Sequence, residues 1–382
     1  MVRKITHDQL TKLIHSFYKN PDKDGKKIPM LITGTFGIGK SAVVKATGED
    51  IAKERGREYC YLNNMSNEEK EKLITENKIK DYFSVMDMRL SEFDATDIRG
   101  LPDFDRLRRW VEWKYPFFVE ILSHPDSDGI LFFDEFNLAT DLTLKACYKI
   151  LHDKIINDTK INYNWLIIGA GNTDEDRSNT TEIAPPIRDR CAEMVLIPPT
   201  TKEWIKWATK YGLSPKIIAY LSWKGTSLRK VDLDKANKYT TERGWERINC
   251  FMSCPIDEID LVAGTCIGED IASEFLGFLR IEGEINLDEI IKSPEKLRGI
   301  TDAGKKYFVV SGLAEKYKDN LMTFEQLFAV STILDEVKSS EFVALLWRIS
   351  SRMNKTKFRK DFTTKELKHP LRAKFLKYLT DE

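Results

Sequence analysis

The sequence feature that most constrains the fold is a glycine-rich stretch at residues 34–41. It fits the pattern G-x-x-x-x-G-K-[ST] at every constrained position, and reads Gly34-Thr35-Phe36-Gly37-Ile38-Gly39-Lys40-Ser41. The apolar run before it predicts a buried strand, and the run from Ala42 onward predicts a helix. A loop between a strand and a helix N-terminus directs backbone N–H groups and the positive end of the helix dipole at one point. The stretch therefore predicts a phosphate site, with Lys40 at the β- and γ-phosphates and Ser41 at Mg²⁺.

A second apolar run ends in two carboxylates, Asp134 and Glu135. Residues 129–133 predict a buried strand, and ligands of a parallel sheet lie at the carboxyl ends of its strands. Asp134 is therefore expected beside the phosphate loop, where it would hold Mg²⁺ through water. Glu135 would orient and deprotonate an attacking water. An acidic pair alone is more often an ordinary strand end, but the complete phosphate loop upstream favours the functional interpretation.

Two further segments add polar groups next to predicted strands. The apolar residues 165–171 end at Asn172, which is either a turn former or a group that fixes the water activated by Glu135. Arg188 and Arg190 come shortly before another apolar run. These arginines either solvate the surface or reach the γ-phosphate of a neighbouring subunit.

The order of these motifs resembles that of AAA+ ATPases, and more narrowly of their MoxR-type branch. Four segments carry the resemblance: residues 89–102 after the second strand, the D-E-x-N-x-A form at 134–139, the A-G-N sensor at 170–172, and a second sensor of the P-R-x-W-E type at 242–246. Glu242 stands where the branch has proline, and Cys191 stands where it usually has phenylalanine. The resemblance covers roughly residues 28–315.

The fold expected is α/β, with an AAA+ P-loop parallel sheet sandwiched by helices in residues 1–198. The strand pattern ends near residue 200, so we expect a helical lid in 199–283 and a C-terminal helical region in 284–382. The resemblance places an inserted hairpin near residues 100–118. Aromatic and basic side chains alternate there, and they either contact a polypeptide or nucleic acid in a ring channel or pack onto their own domain.

The resemblance also assigns roles to individual residues. It implies ATP and Mg²⁺ as cofactors, with Glu135 and Asn172 as catalytic residues and Ser41 and Asp134 at the metal. Arg190 aligns with the arginine finger of the family, and Arg188 stays an alternative. The residues expected to bind ATP are Gly34, Thr35, Phe36, Gly37, Ile38, Gly39, Lys40, Ser41, Ala42, Asp134 and Arg243.

The implied function is ATP hydrolysis in a homo-oligomeric ring, a hexamer, that remodels a protein client or a partner with a von Willebrand A domain. Lysine plus arginine equals aspartate plus glutamate, 60 each, so the net charge of +0 gives no basic field for nucleic acid. A nucleic-acid-dependent AAA+ motor stays the main alternative, and a nucleotide-gated scaffold with negligible turnover is a third. The chain shows no signal-peptide core and no apolar run near the roughly 20 residues of a spanning helix. We therefore expect a cytoplasmic protein without membrane contact, with its six cysteines as buried thiols.

Overall fold

The computed structural model of this chain describes residues 2–103, 112–173, 183–234, 239–281 and 285–364. The chain forms two compact units, Met1–Pro198 and Pro199–Glu382. The division of the second unit into a lid and a C-terminal region stays a prediction.

The strands that the structure describes lie in the first unit. In chain order they are β1 (Arg3–Ile5), β2 (Met30–Thr33), β3 (Glu58–Tyr61), β4 (Tyr82–Arg89), β5 (Leu101–Asp103), β6 (Glu112–Lys114), β7 (Gly129–Asp134), β8 (Ile155–Ile156), β9 (Thr159–Lys160), β10 (Trp165–Gly171) and β11 (Ala192–Leu196). Among the described residues, seven of them form one parallel sheet in the order β1, β11, β2, β10, β7, β4, β3. The other four form two antiparallel pairs, β5 with β6 and β8 with β9.

Helices cover both faces of this sheet, which is why its central strands are apolar throughout. The helices are α1 (His7–Lys19), α2 (Lys40–Arg55), α3 (Asn67–Thr75), α4 (Ala95–Arg99), α5 (Phe117–Ser123), α6 (Asp141–Asp153) and α7 (Pro185–Arg190). Along β7, Phe132 packs into the core that contains residues of α1 and α2. Its neighbour Phe133 packs into the core that contains residues of α5 and α6. The α/β fold with a sheet between helices, predicted from the sequence, is confirmed.

The second unit is helical in the part that the structure describes, apart from an isolated bridge between Lys230 and Thr240. Its helices are α8 (Thr201–Lys210), α9 (Pro215–Trp223), α10 (Glu242–Asn249), α11 (Ile256–Ile267), α12 (Glu269–Arg280), α13 (Leu287–Lys292), α14 (Ala303–Lys318), α15 (Phe324–Glu336), α16 (Ser340–Met353) and α17 (Lys355–Thr364). One hydrophobic core runs from Trp204 to Phe358 and includes the buried rings of Trp245 and Trp347. The helical C-terminal part is as predicted.

Threonine caps set the starts of two helices, and the cysteines depart from the expectation of burial. Strand β1 precedes α1, and Thr6 forms the capping box of α1 with Gln9. Thr200 caps α8, since its hydroxyl accepts from the backbone N–H of Glu203. The cysteines form no disulfide, but they are not all buried, because Cys250 is exposed.

The predicted hairpin near 100–118 is described only at its base. There Leu101 pairs with Lys114 in an antiparallel ladder, and Trp113 on β6 is half-buried. Residues 104–111, including Trp110, lie outside the described part of the chain. Among the helices that the structure describes, none has the length and apolar character needed to cross a bilayer.

Candidate active site

The loop between β2 and α2 wraps closely around the carboxyl end of the sheet. Its first residue, Gly34, donates its N–H to the carbonyl of Gly171 at 3.2 Å. A Cβ at Gly34 would lie 2.7 Å from the carbonyl oxygen of Leu196, so a larger residue does not fit there. Gly39 has φ of 85° immediately before α2, a left-handed conformation that favours glycine. The glycines therefore set a loop whose backbone leads directly into a helix N-terminus.

Lys40 connects this loop to the end of β10. Only 9% of the residue is exposed. Its Nζ donates to the carbonyl oxygens of Gly34 at 2.6 Å and Thr35 at 3.1 Å, and to Oδ1 of Asn172 at 3.1 Å. The ammonium group is thus held at the mouth of the loop by acceptors that a phosphate oxygen can replace.

Ser41 and Asp134 meet where α2 begins and β7 ends. The Ser41 hydroxyl donates to Oδ2 of Asp134 at 2.6 Å, and Oδ1 of Asp134 accepts the N–H of Glu135 at 2.9 Å. The pair offers a hydroxyl and a carboxylate oxygen next to a phosphate-binding loop. Both are hard oxygen ligands of the kind that Mg²⁺ takes together with phosphate oxygens, so this donor set fits that ion.

Glu135 follows Asp134 in a strained backbone conformation. Its φ of 54° is left-handed, which is uncommon for a residue with a side chain. The Ser91 hydroxyl donates to Oε2 of Glu135 across 44 positions of sequence. Ser91 follows β4, the strand beside β7 in the sheet. Ser91 cannot be recognised as a site residue from the sequence alone, because only the pairing of β4 with β7 brings it to Glu135.

Asn137 fixes the backbone at Asn172 from both sides. Its amide nitrogen donates to the Asn172 carbonyl at 2.8 Å, and its amide oxygen accepts the Asn172 N–H at 3.0 Å. The residue is 4% exposed, and a Cβ at Gly171 would lie 2.5 Å from its Oδ1. Asn137 therefore holds the strand end that presents Asn172 to Lys40, a contact that the sequence motif contains but does not reveal.

We expect Asn137→Ala to lower the free energy of unfolding by about 1–3 kcal/mol, because it leaves two part-buried backbone groups of Asn172 unpaired. The ATP turnover number should also fall, since the Asn172 amide loses its fixed position. Asn63→Ala is the matched control: Asn63 brackets the backbone of Asp87 in the same way, at 2.7 and 2.9 Å, but is exposed. Denaturant unfolding and steady-state kinetics would measure both effects, and equal losses in the two variants would contradict the assignment.

The two arginines lie near the amino ends of the parallel strands, whereas the phosphate loop lies at the carboxyl ends. Arg190 ends α7 just before β11, whose first residue, Ala192, pairs with Met30 at the start of β2. The loop follows the other end of β2, about 10 Å further along at about 3.3 Å per residue. Arg190 is exposed, donates to the carbonyl of Pro186 at 2.9 Å and lies 5.1 Å from the centre of the Tyr148 ring.

Arg188 is also exposed, and it pairs with a residue of its own subunit. Its Nη1 lies 3.8 Å from Oε1 of Glu193 on β11. In the described first unit, neither arginine joins the cluster around Lys40 and Asp134. A role for either in phosphate chemistry consequently requires a nucleotide site on another copy of the chain.

Arg243 belongs to the second unit, on the first turn of α10, where it is exposed. The neighbouring Glu242, which replaces the proline of the resembling branch, is 2% exposed and accepts from Nη1 of Arg229 at 2.7 Å. The helix that carries Arg243 therefore begins with a part-buried ion pair. Thr241 caps the same helix through the N–H of Gly244.

Comparisons with known proteins find similarity among solved structures alone. No protein-family model matches the chain, and no curated protein matches it. Similar solved structures include Hsp104 with ATPγS and FITC casein (14% identity, TM-score 0.32, 67% of this chain and 40% of that one). Others are the Thermotoga maritima RuvB Holliday junction branch migration motor (16%, 0.33, 76% and 76%) and C. elegans PCH-2 (12%, 0.32, 71% and 66%). The chain therefore spans less than half the length of the Hsp104 chain, and TM-scores this low do not bear on its activity.

Proposed function

We propose that this protein is an AAA+ ATPase that binds ATP with Mg²⁺ and hydrolyses it. The observation that carries this proposal is the hydrogen bond between Ser41 and Asp134 beside the buried ammonium of Lys40. Two separate segments of sequence, the loop and β7, deliver these groups to the carboxyl ends of the strands, and Asn172 after β10 joins them by accepting from Lys40. The carboxyl ends are where parallel α/β proteins bind their ligands.

The chemistry follows from what each side chain offers. Lys40 and the backbone N–H groups of the loop would bind the β- and γ-phosphates of ATP, in exchange for the loop carbonyls that Lys40 now contacts. When bound, Mg²⁺ would neutralise charge on the phosphate oxygens, with Ser41 and Asp134 as its protein ligands. Glu135, oriented by Ser91, would accept a proton from the attacking water, and Asn172 would help to position that water.

We further propose that the protein works as a homo-oligomeric ring of the MoxR type, a hexamer, that remodels a protein client. Arg190 supports the ring, because it is exposed near the amino ends of the strands, away from the phosphate loop of its own subunit. Asn137 supports the MoxR assignment, since the asparagine of the D-E-x-N-x-A motif has a defined contact here. A partner with a von Willebrand A domain is the client that this branch suggests.

The experiment that tests this function is an ATP hydrolysis assay on the full chain, with and without added polymer. We expect Mg²⁺-dependent turnover that single-stranded DNA, double-stranded DNA and RNA do not stimulate. An unfolded protein such as casein is added to test stimulation by a protein substrate. Lys40→Ala, which removes the phosphate-binding ammonium, is the negative control. Ser41→Ala should shift the Mg²⁺ dependence to higher concentrations, because it removes one of the two metal ligands.

The outcomes separate the three interpretations of the sequence. Stimulation of turnover by DNA or RNA would replace the client-remodelling function with that of a nucleic-acid motor. Nucleotide binding without measurable turnover in the wild type would indicate a nucleotide-gated scaffold. A failure of ATP to bind would overturn the nucleotide site itself.

A further inference from the structure

A cavity of about 200 Å³ lies near the amino ends of the central strands in the first unit. Three segments meet there: the loop that ends at Pro29 before β2, the end of α6, and the end of α7. Four basic side chains line this space, which we term the basic cavity: Lys26, Lys27, Lys154 and Arg190. The phosphate loop follows the carboxyl end of β2, so the basic cavity is separate from it.

Lys154 is the unusual member of the group. It is 1% exposed, and its Nζ donates to the main-chain carbonyls of Tyr163, at 3.3 Å, and Trp165. In the part of the chain that the structure describes, the partners of its ammonium are these main-chain carbonyls rather than a carboxylate. Its backbone is fixed as the left-handed cap of α6, with φ of 53° and its N–H bonded to Ile150 at 3.1 Å. A buried cation without a counter-charge is costly, so this position calls for an anion.

The carboxylates near the basic cavity are fewer than the cations: Asp22 acts on Lys154, and Asp128 acts on Lys27. Asp22 lines the cavity, but its Oδ1 accepts the backbone N–H groups of Asp24 at 2.9 Å and Lys26 at 2.8 Å. Asp153 pairs with the ring of His152. The cations around the cavity therefore outnumber the carboxylates that could neutralise them.

We propose that the basic cavity binds a free tetrahedral oxyanion, inorganic phosphate or sulfate, with Lys154 as its buried partner. The size of the cavity favours a small inorganic ion, since sites for organic ligands generally exceed about 300 Å³. Lys26 and Arg190 line the same space and add positive charge. The site requires no nucleotide, and it shares Arg190 with the proposed contact between subunits.

The protonation of Lys154 gives this site a pH dependence. Burial, with smaller contributions from the nearby charges of Lys27 and Lys26, lowers the pKa of Lys154 to about 7, and Asp22 acts in the opposite direction. An oxyanion pairs with the protonated amine, so binding above pH 7 must take up a proton. The affinity should therefore weaken as the pH rises, about tenfold from pH 6 to pH 8. His152 on α6 and Arg190 on α7 also line the cavity, but Arg190 keeps its charge throughout this range.

Sulfate is the suitable probe, because it keeps its charge between pH 6 and pH 8 whereas phosphate does not. We would titrate sulfate into full-length Lys40→Ala protein by calorimetry at constant ionic strength, so that the phosphate loop cannot contribute. We expect one sulfate per chain, bound about tenfold more tightly at pH 6 than at pH 8, and displaced by inorganic phosphate. Adding Lys154→Met should weaken binding at least tenfold at pH 6.

Lys154→Arg is the matched variant, because arginine carries the charge at every pH used. It should bind sulfate but lose the pH dependence, and it keeps the test decisive if Lys154→Met does not fold. Equal sulfate affinity in Lys40→Ala with and without Lys154→Met would overturn the proposal. So would the absence of sulfate binding to Lys40→Ala, or an unchanged pH dependence in Lys154→Arg. None of these results depends on whether the wild type hydrolyses ATP.

Discussion

Glu135→Gln is expected to hydrolyse ATP about 10²- to 10⁴-fold more slowly than the wild type, and to bind ATP with unchanged affinity. The amide keeps the size of the carboxylate and can still accept the Ser91 hydroxyl, so the local structure should persist. It cannot accept a proton from water, which removes the base. Asp134 and Ser41 are untouched, so Mg²⁺ and nucleotide should still bind. Single-turnover hydrolysis and a fluorescent-nucleotide titration would measure the two quantities.

Glu92→Gln provides the matched control for this substitution. Glu92 lies next to Ser91 but is exposed, where its carboxylate pairs with Arg89 at 3.5 Å. The same change of charge there should leave turnover within about twofold, since surface ion pairs contribute little. Lys40→Ala is the negative control, because it should lose nucleotide binding itself. Turnover near the wild-type rate in Glu135→Gln would mean that another group is the base.

The part of the site that could be predicted from the sequence is the part whose residue types are fixed by local chemistry. Gly34 has no room for a Cβ, Gly39 needs a left-handed backbone, and Lys40 follows at a set spacing. A pattern of this kind is complete within eight residues, so no tertiary information is needed to find it. The central strands could also be predicted from the sequence. Strands β7 and β10 are buried on both faces, so they appear as uninterrupted apolar runs.

The groups that were missed depend on contacts between distant segments. Ser91 reaches Glu135 only because β4 and β7 are neighbours, and Asn137 reaches Asn172 across 35 positions. Strand β1 has no apolar run, since only Ile5 of its three residues is buried. Lys154 appears in the sequence as an ordinary charged residue. Its burial goes with its position as the left-handed cap of α6, which the sequence does not reveal. Pairwise packing of this kind leaves no signature in a single sequence.

Arg190→Ala is expected to bind ATP as the wild type does and to hydrolyse it at least about 10³-fold more slowly, the usual contribution of an arginine finger. The reason is geometric: Arg190 stands at the amino end of β11, whereas the phosphate loop of its own subunit follows the carboxyl end of β2. Its guanidinium can therefore contribute only to a nucleotide held by another copy. Sedimentation analysis should show the same oligomer as the wild type. Arg188→Ala is the matched control, because Arg188 is exposed on the same helix but pairs with Glu193.

A mixing experiment tests whether Arg190 acts between subunits. Arg190→Ala protein keeps an intact nucleotide site but lacks the arginine, and Lys40→Ala protein keeps the arginine but lacks the site. Mixed rings would contain boundaries at which one subunit supplies each part, so turnover should rise well above that of either variant alone. An arginine that acted within its own subunit would give no such gain, because every subunit would still lack one component. Recovery by Arg188→Ala in place of Arg190→Ala would move the finger to Arg188, and recovery by neither would remove both arginines from the reaction.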